Sequence, residues 1–149
     1  MALLKAAEIL KTPITIEQAG QMVASVGTVE APDTLAANDI VALCHLPAEH
    51  EVVDFMLQAD DLDTGETPAI TVSVGVLNAD MTDLVASTNL LTTSTVAQAG
   101  GVARAAVVAG LQLSASSANR VVGAKIVAAA DTAATGTLKG VLFYRRARS

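Results

Sequence analysis

The chain has 149 residues, enough for one domain with a real core and short for two. A formal charge of −6 with pI near 4.7 leaves no phosphate-neutralising excess, which excludes nucleic acid as the main partner, and 2% aromatics leave few platforms for stacking bases or sugars. Apolar residues reach 52% and mean hydropathy is +0.50, mostly through Ala and Val, a surplus of small apolar surface that implies burial against another protein chain where no membrane span exists.

From the start, Leu3, Ala6, Ala7 and Leu10 fall at helical spacing, which predicts a short helix that Pro13 ends. Too short to be stable alone, it is expected as an arm over residues 1–13, ahead of a single domain over residues 14–149. Lys5 and Glu8 interrupt its apolar character, so no signal peptide is expected. Residues 21–27 alternate Met22, Ala24 and Val26 against Val23 and Ser25 and predict a strand. Residues 28–38, with Pro32, Asp33 and Asn38, read as a loop, and the compact apolar run over 39–46 reads as a fully buried strand.

Residues 51–77 are the stretch around which the sequence is organised. In its first arm Val53, Phe55 and Leu57 alternate with Asp54 and Gln58; in its second Ile70, Val72, Val74 and Val76 alternate with Thr71, Ser73 and Gly75. A period of two marks strands with one buried face. The residues between, Asp60-Asp61-Leu62-Asp63-Thr64-Gly65-Glu66-Thr67-Pro68, are turn formers, and the expectation is an antiparallel hairpin closed by an acidic loop that Asp61, Asp63, Thr64 and Gly65 structure.

Beyond a turn at 78–80, residues 84–103 carry no charge, yet Ser, Thr, Asn and Gln throughout make them a poor membrane span. Residues 95–99 predict one helical turn stopped by Gly100-Gly101, and residues 107–113, 120–130 and 137–144 predict further strands before a basic tail of Arg145, Arg146 and Arg148. Short β segments separated by Gly, Pro, Asn and Asp turns predict an all-β fold. The expected architecture is an antiparallel sandwich, with the jelly roll as one form of it, an N-terminal arm and at most one or two short helices. Charge is uneven: residues 1–83 hold 14 acids and 2 bases, residues 84–149 one acid and 7 bases. Either the halves pair across strands within one subunit, or an acidic edge meets the basic edge of a neighbour.

Candidate chemistry is sparse. Asp60, Asp61, Asp63 and Glu66 crowd one loop, but they lack the twelve-residue ligand series of an EF-hand, so no metal is expected. Asp63-Thr64-Gly65 spells the D-T-G of aspartic proteases, in which two apposed carboxylates share a proton; Asp60 and Asp61 stand where apolar residues should lead into it. His45 and His50 are spaced for neither a strand face nor a helical metal pair, and Cys44 alone excludes an internal disulfide. No catalytic residue and no cofactor is proposed, and the chain is read as a binding protein and not an enzyme. A sugar-binding or host-attachment module on a jelly-roll scaffold is the alternative, against which the aromatic shortage counts.

The run D-D-L-D-T-G-x-T-P-A-I-T over residues 60–71, a Val-rich strand ending at Gly75, Gln98-Ala99-Gly100-Gly101-Val102, and the closing segments 122–130 and 136–144 together resemble the head decoration, or cement, proteins of tailed bacteriophages, over roughly residues 40–145. The resemblance implies a virion protein on the outer capsid surface, made in the host cytoplasm. Its implied partners are the major capsid protein and itself, as a homotrimer, with no membrane involved. Leu3 and Leu4 of the arm, and Leu90, Leu91 and Val96 of the uncharged stretch, are the candidate assembly contacts.

Overall fold

The computed structural model describes residues 1–15 and 21–147; Arg148 of the expected basic tail lies outside them. Nine strands form among these residues: β1 (Leu3–Lys5), β2 (Met22–Ala31), β3 (Ile40–Leu46), β4 (His50–Ala59), β5 (Thr71–Val76), β6 (Leu91–Ser94), β7 (Gly101–Arg104), β8 (Arg120–Ala128) and β9 (Gly136–Arg146). They build two stacked sheets, sheet A in the order β1-β3-β8-β5-β6 and sheet B in the order β2-β9-β4-β7. Every pairing is antiparallel except that of β1 with β3.

The pairing has a simple logic. β5 pairs with β6, β4 with β7, β3 with β8 and β2 with β9, so the chain is one long antiparallel ribbon rolled into two sheets. That is a jelly roll, the form among the expected sandwiches that the strand order selects. Rolling also places the acidic first half of the chain against the basic second half. All three ion pairs of the described residues join the halves: Arg104 with Asp54, Lys125 with Asp83 and Arg145 with Glu51. Charge asymmetry along the sequence thus becomes cross-strand complementarity within one subunit.

Several local expectations change. The expected hairpin over residues 51–77 is not one: β4 lies in sheet B and β5 in sheet A, and the acidic loop crosses between sheets. Both arms were legible as strands, but alternation carries no information about which strand is the partner. Residues 2–10 form β1 and a 3₁₀ turn (Ala7–Leu10) in place of a helix, because pairing with β3 satisfies backbone groups that so short a helix leaves open. The arm therefore docks on the edge of sheet A. β2 continues to Ala31, into the expected loop. The strand expected over 107–113 is a single helical turn, α1 (Val108–Leu111), whereas the expected helical turn before Gly100-Gly101 forms at Val96–Gln98.

The core fills the space between the sheets with Leu43, Leu46, Phe55, Leu57, Val72, Val74, Ile126, Leu138, Leu142 and Tyr144. Each large side chain buried there contributes about 1.5–3 kcal/mol. A smaller cluster of Ile40, Ala42 and Leu77 sits on the outside of sheet A, covered by Ile9, Met81, Leu84 and Val121. No helix among the described residues is long and apolar enough to cross a membrane.

Candidate functional site

The corner between β4 and β5 is built on one carboxylate. Where a chain leaves the ladder of one sheet for another, its N–H groups lose their partners and need substitutes. Asp63 is buried and supplies them. Its Oδ1 accepts from the N–H of Gly65 (3.2 Å) and Thr132 (3.0 Å), and its Oδ2 from the N–H of Ala69 (2.7 Å), Ile70 (3.1 Å) and Asp131 (2.9 Å). Asp61 Oδ1 accepts the Asp63 N–H at 3.0 Å, and the Thr64 N–H donates to Thr132 O at 2.9 Å. Gly65 passes so near the Asp131 side chain that a Cβ would sit 2.1 Å from its Oδ2. Asp61, Asp63, Thr64 and Gly65 thus tie their own loop to the β8–β9 loop, 68 residues away in sequence.

Burial pushes the Asp63 carboxyl up, but the N–H groups of Thr132, Ala69, Asp131 and Ile70 outweigh it and hold the group well below the usual carboxylate range. A carboxylate offers about four lone-pair sites, and five donors occupy these. Asp63 is therefore unable to share a proton with a second carboxylate, as the D-T-G reading requires. Among the described residues no three His, Cys, Asp or Glu side chains converge as a metal site. Both histidines bond backbone carbonyls: His45 Nε2 to Ile9 O at 3.2 Å and His50 Nδ1 to Ala48 O at 2.8 Å.

The outer face of sheet B has a different character. On β2 the residues facing the core are Ser25, Gly27, Val29 and Ala31, which leaves Met22, Ala24 and Val26 pointing outward. The reason is a close approach of the sheets. Ser25 Oγ accepts the His45 N–H at 3.2 Å, Ser25 O accepts from Cys44 Sγ at 3.3 Å, and Gly27 lies directly against Leu43. Register then aligns the outward residues in rows. Val26 is opposite Val141, which is opposite Met56, which is opposite Arg104; Ala24 is opposite Phe143, which is opposite Asp54. Met22, Val26 and Val53 are 56%, 42% and 41% exposed. Met22, Val53, Met56 and Phe143 line a shallow hollow, with Asp54 and Arg104 at its edge. The ion pairs Arg104 with Asp54 and Arg145 with Glu51 (2.7 Å) flank the apolar strip. Side chains directly opposite across antiparallel strands lie near enough to make one continuous surface.

The five candidate assembly residues do not gather on one surface. Leu3 and Leu4 lie in β1 and Leu91 in β6, at opposite edges of sheet A. Leu90 and Leu91 are buried in the core of the chain itself, Leu4 and Val96 pack against it, and Leu3 is left partly exposed. The strip on sheet B was visible in the sequence only as the alternation of β2.

No protein-family model matches the sequence, and no curated protein does. Solved structures do. A chain in the capsid of Ralstonia phage GP4 is 32% identical and superposes with a TM-score of 0.87, over 99% of this chain and 100% of its own. A chain in the capsid asymmetric unit of cyanophage Pam1 is 30% identical with a TM-score of 0.73, over 92% of this chain and 93% of its own. Similarity at this level over nearly the full length carries sequence as well as fold, and the chain belongs to this family of bacteriophage capsid-associated structural proteins.

Proposed function

We propose that the chain is a decoration protein that binds the outer surface of a phage capsid and stabilises it by bridging major capsid subunits. The observation that carries this reading is the apolar strip on the outer face of sheet B, which no described segment covers, whereas the apolar patch of Ile40, Ala42 and Leu77 on the outer face of sheet A is covered by Ile9, Met81, Leu84 and Val121. A strip of exposed Met and Val beside half-buried Phe143, bordered by paired charges, has the make-up of a protein interface with an apolar centre and a polar rim. Each contact of this kind is weak, and many copies on one shell add them into a clamp. The net charge of −6 supports a protein partner over nucleic acid. Self-association as a homotrimer, with Leu3 at a copy-to-copy contact, belongs to the same reading, as does synthesis in the host cytoplasm.

Mixing the purified protein with expanded shells that lack it, followed by sedimentation, tests the proposal. The wild type is expected to co-sediment, and Val26→Glu, which puts a charge in the middle of the strip at an exposed position, is expected to lose roughly tenfold or more in affinity with its melting temperature unchanged. A Val26→Glu protein that binds shells as the wild type does would refute the sheet B face. Light scattering of the free protein tests the trimer.

A further inference from the structure

Arg120, the first residue of β8, carries a half-buried guanidinium with no carboxylate against it. Its Nη1 donates to Ser114 O at 3.0 Å and its Nη2 to His50 O at 3.1 Å, while its Nε is buried without a partner. The ion pairs of the described residues use Arg104, Lys125 and Arg145, so Arg120 is left un-neutralised. Burial alone lowers its pKa from the usual guanidinium value, with no acid acting in the other direction. A cation withdrawn from water without an anion is unfavourable, and supplying the anion relieves it.

Space for that anion lies beside it. A cavity of about 550 Å³ is lined by Arg120 together with Asn78, Ser116 and Asn119, and by Leu77 and Val85 on its apolar side. With Nε sealed from solvent and each Nη already donating once, the second N–H of each Nη remains, and these two donors with amide and hydroxyl neighbours suit a monoanion such as a carboxylate. No second cation lines the cavity, as a phosphate dianion would need. We propose that this cavity receives the carboxylate of an aspartate or glutamate side chain from a neighbouring capsid chain. The partner's identity rests on the decoration reading; the chemistry of the site rests on the cavity itself. Leu77 and Val121 place the cavity on the outer side of sheet A, away from the strip on sheet B, and a bridging protein needs two such separate surfaces. In a chain that is acidic overall, one local positive pocket selects its partner's register more than it attracts from a distance.

The test has two arms. On the free protein, the Arg120 side-chain N–H resonance is followed by NMR during titration with N-acetyl-aspartate α-amide, whose only charge is the side-chain carboxylate, with N-acetyl-asparagine α-amide as the neutral control. A saturable shift with the aspartate compound alone is expected; no saturable shift, or an equal one with the asparagine compound, would overturn the carboxylate site. On shells, Arg120→Gln and Val85→Glu are compared with the wild type. The second variant keeps Arg120 and puts a competing carboxylate on the cavity rim, where Val85 is exposed. Each is expected to weaken shell binding roughly tenfold or more. If the wild type binds and both folded variants bind equally well, the cavity is not a contact although the decoration reading stands. If the wild type does not bind, the decoration reading and the proposed partner fall together, and the titration alone decides whether the cavity takes a carboxylate.

Discussion

Alanine substitutions at Gly27 and Gly140 test how closely the two sheets approach. The two glycines are partners in the β2–β9 ladder and both face Leu43, the residue at which the β3–β8 register slips. A Cβ on Gly27 would lie 1.8 Å from Leu43 O, 2.6 Å from its carbonyl carbon and 3.0 Å from the Ala6 Cβ. Ordinary contact begins near 3.4 Å, so one strand must retreat by about 1.6 Å. The obstructing atom is backbone, in a strand held by β1 on one side and β8 on the other, and no rotamer change relieves it. Overpacking costs about 1–3 kcal/mol where side chains can adapt, so the expected cost is at or above ~3 kcal/mol. At roughly 2.1 cal/mol/K of unfolding entropy per residue, a chain of this length loses about 10 °C in Tm for that amount.

Gly140 provides the contrast. Its added Cβ would meet Leu43 Cδ1 at 3.0 Å, Leu43 Cβ at 3.1 Å and Phe55 Cε2 at 3.3 Å, contacts that side chains can relax by a few tenths of an ångström. Replacing glycine in a strand interior also gains roughly 0.5–1 kcal/mol of backbone entropy. The expected Tm therefore stays within about 3 °C of the wild type. Thermal scans by circular dichroism must use one protomer concentration, because association raises Tm by mass action. The argument fails if Gly27→Ala melts within about 3 °C of the wild type, or if Gly140→Ala is the less stable of the two.

Asp63→Asn removes the charge at the corner, and its amide nitrogen has to face N–H donors. The wild-type carboxyl is held below its ordinary value in the folded state, so on acidification the unfolded chain takes up the proton first. The stability it contributes is complete above the ordinary carboxylate range and drains away as pH falls below about 5. The Tm gap between wild type and Asp63→Asn should therefore be wide at neutral pH and narrow towards about pH 3; an equal gap at both would contradict the assignment. For Cys44, burial pushes the thiol up to about 12, against weaker lowering by backbone and Ser25 hydrogen bonds. Iodoacetamide at about pH 8 is expected to leave the folded protein unlabelled and to label it once denatured, so rapid native-state labelling would show a more open β3 than the structure has.

The sequence by itself determined the fold class and much of the local chemistry. The period of two over β2, β4 and β5 marks strands because alternate side chains of a pleated chain face opposite ways, and the compact apolar run of β3 marks a strand buried on both faces. The density of Asp, Thr and Gly over residues 60–66 marks a side-chain-bonded corner for an equally local reason. Tertiary structure decided everything that depends on partners distant along the chain. Alternation on β2 shows two faces without saying which is inward; the nearness of Leu43 forces Ser25 and Gly27 in and turns Met22 and Val26 out. Leu90 and Leu91 read as spare apolar surface until pairing with β5 at Val74 takes them into the core. The loop after β4 reads as a hairpin turn until Asp63 is found bonded to Asp131 and Thr132, because a carboxylate's choice among distant N–H groups is made only when the sheets have closed.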